Sequence, residues 1–155
     1  MIKIKKLLSA VFAAMIAVTA NAQWQTVGSA GFSAYQAEYT SLAIDNNDVP
    51  YVAFRDHEYS GKATVMKFDG TNWVTVGTAG FSAGAVLDVS LTLNSSDELY
   101  ITYYDVANSG KATVKKFNGT SWVTVGTEGF SAGTADHTSL AFDTNDVPYV
   151  AYADA

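Results

Sequence analysis

The stretch WVTVGTAGFSA (residues 73–83) is one of three closely similar copies in the chain, and this repetition decides the fold. The other copies read WQTVGSAGFSA (residues 24–34) and WVTVGTEGFSA (residues 122–132), so Trp24, Trp73 and Trp122 stand 49 residues apart. The match continues outward through TSLAIDNNDVPYVA (residues 40–53), VSLTLNSSDELYIT (residues 89–102) and TSLAFDTNDVPYVA (residues 138–151). A fixed period of this length is typical of repeat architectures. The chain therefore divides into repeats 24–72, 73–121 and 122–155.

Each repeat carries short apolar runs separated by turn residues, a pattern that predicts β-strands. In the first complete unit the predicted strands a, b, c and d cover residues 40–45, 49–56, 62–68 and 73–77. The dipeptide Asp69-Gly70 predicts a type I′ hairpin turn between strands c and d. The links at residues 46–48, 95–97 and 144–146 predict tight turns between strands a and b. Residues 45–48 and 143–146 also have the oxygen density of a Ca²⁺ loop, which is weaker at residues 94–97, but they lack its length and its distal glutamate, so a plain turn is favoured. No helix is predicted outside residues 1–22.

Strand b is apolar on both faces, with Tyr51 and Ala53 on one side and Val52 and Phe54 on the other. Such a strand belongs in a sheet packed between two others. Small residues such as Ser41 suit an inner strand near an axis. Four antiparallel strands per repeat of about 50 residues predict an all-β fold made of β-propeller blades, with a β-solenoid as the alternative architecture.

The blocks SLAxDxNDVPYVA and GKATVxKFxGTxWVTVG resemble the repetitive, kelch-length bacterial β-propellers of exported surface proteins. The resemblance covers residues 24–155. It implies an exported, non-enzymatic binding, adhesion or scaffold module. The alternative is the propeller portion of a larger exported hydrolase whose catalytic residues lie outside this sequence.

The first 22 residues have the features of a signal peptide. Lys3, Lys5 and Lys6 precede an apolar run at residues 7–20, and Ala20-Asn21-Ala22 fits a cleavage site. We therefore expect a protein that is secreted or at the cell surface, with the periplasm still open, and not inserted in a membrane, since the run is short for a span.

Charge and composition narrow the expected partners. Without residues 1–22, six Lys and Arg face fifteen Asp and Glu, which gives a net charge of −9. An acidic chain repels phosphate backbones, so no nucleic acid partner is expected. The chain has no cysteine, which rules out thiol chemistry and Cys-based metal sites. No cofactor and no metal site is expected.

The number of repeats is smaller than a closed propeller needs. About 2.7 repeats are present, whereas closed rings have about four to eight blades. The open ends would expose apolar sheet faces and bare edges. We expect either a truncated sequence that lacks C-terminal blades or a homo-oligomer that completes the ring.

Differences between the repeats cluster in two places, the d–a connection and the b–c loop. In a four-stranded meander these two connections lie on the same side of the sheet. Variable loops on a constant scaffold indicate a binding surface, although free drift of exposed loops is the competing explanation. The candidate binding residues in these loops are Tyr35, Gln36, Glu38, Tyr39, Arg55, His57, Glu58, Tyr59, Asp88, Tyr104, Asp136 and His137.

Catalytic chemistry has little support in the sequence. The two histidines, His57 and His137, lie in different repeats and different loops, so no shared metal site is expected. Glu38, Asp88 and Asp136 are candidates for the paired carboxylates of a glycosidase, yet they do not occupy equivalent repeat positions. No catalytic residue is therefore predicted. Trp73 and Trp122 are expected to pack between neighbouring blades.

Overall fold

A computed structural model describes residues 25–154, so the signal-peptide prediction and Trp24 lie outside the described residues. Ten strands form three antiparallel sheets. Sheet 1 contains β1 (Ala37–Ile44), β2 (Pro50–Asp56), β3 (Lys62–Phe68) and β4 (Trp73–Thr75). Sheet 2 contains β5 (Val86–Leu93), β6 (Leu99–Asp105), β7 (Lys111–Phe117) and β8 (Trp122–Thr124), and sheet 3 contains β9 (Ala135–Phe142) and β10 (Pro148–Asp154). The predicted all-β fold with four antiparallel strands per repeat is confirmed for sheets 1 and 2. The described residues do not close into a ring.

The strand boundaries differ from the prediction by one residue at the end of strand a and the start of strand b, and by more in two places. Strand a begins at Ala37, three residues early, because a β-bulge between Glu38 and Ser41 shifts the register and lets the strand continue. Strand d ends at Thr75 and is only three residues long. Strand c matches the prediction, since β3 covers residues 62–68.

Residues 25–154 form no α-helix, in agreement with the prediction, but the b–c loops contain short 3-10 turns. Single 3-10 turns occupy His57–Tyr59 and Val106–Asn108. Asp56 caps the first of them by accepting a hydrogen bond from the Glu58 amide at 3.1 Å. The turn ends at Ser60, which has a left-handed φ of 58°.

The c–d hairpin is not a type I′ turn, and that prediction was wrong. Type I′ needs positive φ at both central residues, whereas at residues 69–72 only Gly70 has one, at 96°. The carboxylate of Asp69 instead accepts hydrogen bonds from the amides of Thr71 and Asn72 at 2.9 and 2.7 Å. The side chain thus replaces a backbone acceptor.

The a–b links are tight turns, as predicted. The carboxylate of Asp45 accepts hydrogen bonds from the amides of Asn47 and Val49, both at 2.9 Å. Asp48 completes the turn in the left-handed region with φ 61°. Within residues 25–154, no three His, Cys, Asp or Glu side chains come together in a way that could hold a metal ion.

Successive sheets stack face to face, and the core lies between them. Residues Ala53 and Val65 of sheet 1 pack against Leu91, Ile101 and Tyr103 of sheet 2, and all five are buried. The prediction that strand b is covered on both faces is confirmed for the β6 strand of sheet 2, which has sheets on both sides. The equivalent β10, at the end of the stack, is largely exposed. Burial of a repeat thus depends on its neighbours.

First strands of neighbouring sheets are also joined by hydrogen bonds. The amide of Leu91 in sheet 2 donates to the hydroxyl of Ser41 in sheet 1 at 2.9 Å. The amide of Leu140 in sheet 3 donates in the same way to Ser90 at 3.1 Å. Serine at this position therefore allows close approach and supplies an acceptor to an edge strand that would otherwise lack one.

Trp122 joins sheet 2 to the connection that leads into it, and its predicted structural role is confirmed. Its indole N–H donates to the carbonyl of Val76 at 3.0 Å, and its ring stacks on Phe81 at 4.6 Å between centroids. Gly77, with φ 75°, lies beneath the ring, where a Cβ would come within 3.4 Å of the indole. Trp73 repeats this arrangement on Phe32. Of the described residues, none forms a helix with the length and hydrophobicity needed to cross a bilayer.

Candidate functional site

The d–a connections and the b–c turns lie on one side of the stack, which we call the loop face. It consists of residues 25–36, the connections 76–85 and 125–134, the turns at residues 57–59 and 106–108, and the first residues of β1, β5 and β9. Connection 76–85 runs between the two turns. A methyl group at Gly80 would come within 2.6 Å of Tyr59, and one at Gly84 within 3.0 Å of Ala107. The prediction that these segments share a face is confirmed.

A row of bulge residues marks the start of the first strand in each repeat. Tyr39, Asp88 and His137 occupy equivalent positions and have left-handed φ values of 49°, 46° and 55°. Asp and His tolerate this region moderately well, whereas a bulky tyrosine there is uncommon. All three belong to the predicted binding residues, and all three differ in chemistry. The backbone conformation is therefore constant while the side chain it presents changes from repeat to repeat.

Four predicted residues of the first repeat are brought together by one carboxylate. Glu38 lies 2.8 Å from His57 Nε2 and 3.6 Å from an Arg55 guanidinium nitrogen. The side-chain amide of Gln36 donates to the other Glu38 oxygen at 2.9 Å. The hydrogen bond with His57, aided by the positive charges of His57 and Arg55 and opposed by partial burial, holds the pKa of Glu38 below its ordinary value. The cluster is thus a group of polar and charged side chains held together by contacts with Glu38.

Two more predicted residues meet across sheets 2 and 3. The Asp88 carboxylate accepts a hydrogen bond from the His137 amide at 2.8 Å, and its carbonyl accepts one from the Thr138 hydroxyl. The His137 ring is 85% exposed and lies 4.0 Å from the same carboxylate. Asp136 is half-buried beside them. Asp88 therefore both links the sheets and leaves the His137 ring free to face solvent.

The remaining predicted residues lie around these two groups. Tyr35 and Tyr59 are 69% and 42% exposed, and Glu58 is exposed at the outer side of its turn. Tyr104 is half-buried over Gly110, where a methyl group would come within 2.2 Å of its ring. The structure thus supplies aromatic and charged side chains to the loop face from at least two repeats.

Two of the acids on this face have partners within the chain. Glu38 is occupied by His57 and Arg55, and Asp88 is occupied by the His137 amide. Each histidine has its own carboxylate partner, so the two do not share a site. Such an arrangement can recognise a polar ligand through hydrogen bonds and ring contacts.

The sequence analysis did not predict a small cavity that lies beneath the loop face in the first repeat. Its apolar lining includes Phe32, Phe54, Met66 and Ala79. Two of these positions carried a signal, because Met66 and Ala79 are replaced by Lys115 and Glu128 in the next repeat within otherwise matching segments. Met66 lies in strand c and Ala79 in the connection after strand d, so only the folded chain brings the two residues together.

No family model, no curated protein and no solved structure matches this chain. The contacts within the chain and the differences between its repeats are therefore the guides to its function.

Proposed function

We propose that the chain is an exported, non-enzymatic binding or adhesion module built from β-propeller blades, whose glycan or protein ligand contacts the loop face. The observation that carries this proposal is the placement of three exposed tyrosines, Tyr35, Tyr39 and Tyr59, on that one face. A tyrosine combines a flat apolar ring with a polar tip, which suits both stacking on a sugar ring and anchoring a protein contact.

Comparison between repeats supports a ligand-facing role for these rings. The positions of Tyr35, Tyr39 and Tyr59 hold Gly84, Asp88 and Asn108 in the second repeat. A residue required by the blade itself would recur, as Ser41 and Trp73 do. These tyrosines therefore do not serve the packing that all repeats share, and variation on a constant scaffold is typical of a binding face.

The conformation of Tyr39 supports the proposal further. Holding a bulky residue in the left-handed region costs about 1–2 kcal/mol, and Tyr39 does so with φ 49° while 43% exposed. An exposed ring gains little packing energy to offset that cost. Backbone outliers of this kind concentrate at binding sites, where side-chain direction matters more than stability.

Replacing Tyr35, Tyr39 and Tyr59 together with alanine should weaken ligand binding by about 100-fold, because each exposed ring at a contact centre contributes roughly 1 kcal/mol or more. Thermal unfolding should change little, since exposed substitutions usually alter stability by about 0.5 kcal/mol or less. Binding is measured on an array of immobilised glycans and on intact bacterial and animal cells. Unfolding is followed by circular dichroism.

Tyr149→Ala is the matched control, because Tyr149 is 60% exposed but lies in β10, outside the loop face. It should leave both readouts unchanged. Binding that survives in the triple variant, or that is lost equally in the control, would contradict a loop-face site.

A further inference from the structure

The cavity beneath the loop face has a volume of about 210 Å³ and an uneven lining. Phe32, Phe54, Met66 and Ala79 form its apolar walls, and the carboxylates of Asp56 and Glu58 lie at its polar side. No Lys or Arg lines it. Tyr59 also lines it, so an inference about it rests on the proposed function and adds the chemistry of the ligand. We call it the first-repeat cavity.

The second repeat places different side chains at the positions equivalent to the lining of this cavity. Met66, Thr75 and Ala79, which all line the first-repeat cavity, correspond to Lys115, Thr124 and Glu128. The Lys115 ammonium lies 2.9 Å from the Thr124 hydroxyl and 2.7 Å from the Glu128 carboxylate, and Lys115 is only 8% exposed. The second repeat therefore fills this position with an ammonium group on an aliphatic stem, supplied by the chain itself.

Asp56 offers a buried acceptor that its counterpart does not. In the second repeat, one oxygen of Asp105 accepts hydrogen bonds from the Asn108 amide and the Thr113 hydroxyl, both at 2.8 Å. In the first repeat Tyr59 replaces Asn108, and the described residues donate no hydrogen bond to the corresponding oxygen of Asp56. Asp56 is 5% exposed and lines the cavity. This oxygen is not among the buried side-chain atoms that lack a partner, so it is accessible from the cavity, where a ligand ammonium could donate a charge-assisted hydrogen bond to it.

We propose that the first-repeat cavity binds a primary ammonium group carried on a short apolar stem. The ammonium donates to Asp56 and Glu58, and the stem lies against Phe54 and Met66. Aromatic rings beside the site add cation–π attraction. The side chain of a lysine in a protein has this chemistry, whereas an amino sugar carries its ammonium on a hydroxylated ring and serves as the comparison.

The two larger depressions do not compete with this assignment. They lie at the opposite rim and involve Tyr51, Lys67 and Lys116, residues that recur between the first and second repeats. They therefore belong to the shared scaffold, whereas the first-repeat cavity is specific to one copy.

The test uses the full chain, ¹⁵N-labelled, with four probes: Nα-acetyl-lysine methylamide, glucosamine, and their neutral counterparts Nα-acetyl-norleucine methylamide and N-acetylglucosamine. The lysine derivative should shift the amide signals of Asp56, Glu58 and Thr64, while its neutral counterpart binds at least about tenfold more weakly. Glucosamine should bind more weakly than the lysine derivative, because it has no apolar stem. No shift from the lysine derivative, equal shifts from its neutral counterpart, or tighter binding of glucosamine would overturn the proposal.

A graft of the second-repeat pair separates binding from folding. Met66→Lys/Ala79→Glu should fill the cavity with an internal ion pair and abolish amine binding, with the thermal midpoint maintained. Glu58→Gln, at an exposed position, should weaken amine binding and leave folding intact. Amine binding that persists unchanged in the folded graft would contradict the site.

Discussion

Trp122→Ala should lower the free energy of unfolding by about 3–5 kcal/mol, the range for removing a large aromatic side chain from a core. Trp122 is 9% exposed, donates to the Val76 carbonyl and stacks on Phe81. Its loss would open a cavity between sheet 2 and connection 76–85 and leave that carbonyl without its donor. The measurement is urea unfolding followed by circular dichroism.

Trp73→Ala provides an internal comparison within the same motif. Trp73 makes the same hydrogen bond, to Val27, and the same stack, on Phe32, but it is only half-buried. Its removal should therefore cost clearly less. Trp122→Phe should be intermediate, because it keeps most of the ring and loses a hydrogen bond worth about 1 kcal/mol. Equal losses for the two alanine variants would mean that stacking of the sheets does not determine how much each repeat contributes.

The repeat made much of this fold predictable. Turn residues located the strands, and strand c was placed correctly because Gly61 and Asp69-Gly70 bound it on both sides. Apolar residues on both faces of strand b predicted burial on both sides, which β6 shows. Agreement between internal copies also separated scaffold positions from variable ones, so the loop face followed from the sequence.

The errors arose where a side chain or a bulge replaced regular backbone pairing. The β-bulge at Tyr39 gave no signal, because nothing in the residue type favours its left-handed conformation. The Asp69 turn was misassigned because the carboxylate competes for backbone amides. The cavity was missed because Met66 and Ala79 are distant in sequence and acquire meaning only through tertiary contact.

A polypeptide of residues 23–155, produced alone, should self-associate, because the outer sheets expose residues that the inner sheet buries. Leu42 is 63% exposed, whereas its counterparts Leu91 and Leu140 are each 5% exposed. Ile44, on the same face, is 58% exposed. Burying one such side chain contributes roughly 1.5–3 kcal/mol, which is large beside the marginal stability of a whole domain.

The two outer faces correspond to the two kinds of sheet face that pack against each other inside the stack. Within the stack, the face that carries Leu91 and Ile101 packs against the opposite face of the preceding sheet. Sheet 1 presents the Leu42 face outward, and sheet 3 presents the opposite face with Tyr149 at 60% exposure. A second copy can therefore add head to tail and repeat the internal contact, a geometry that gives rings or open chains of copies. Leu42→Glu/Ile44→Lys should interrupt this addition without touching the inner sheet.

Light scattering after size-exclusion chromatography tests most directly the central claim that each sheet needs a neighbour on both faces. For residues 23–155 we expect a mass above that of a single copy, rising with protein concentration, or precipitation. The Leu42→Glu/Ile44→Lys variant should shift the distribution towards a single copy. A sharp, concentration-independent peak at the mass of one copy, with cooperative unfolding in the unsubstituted chain, would contradict the account.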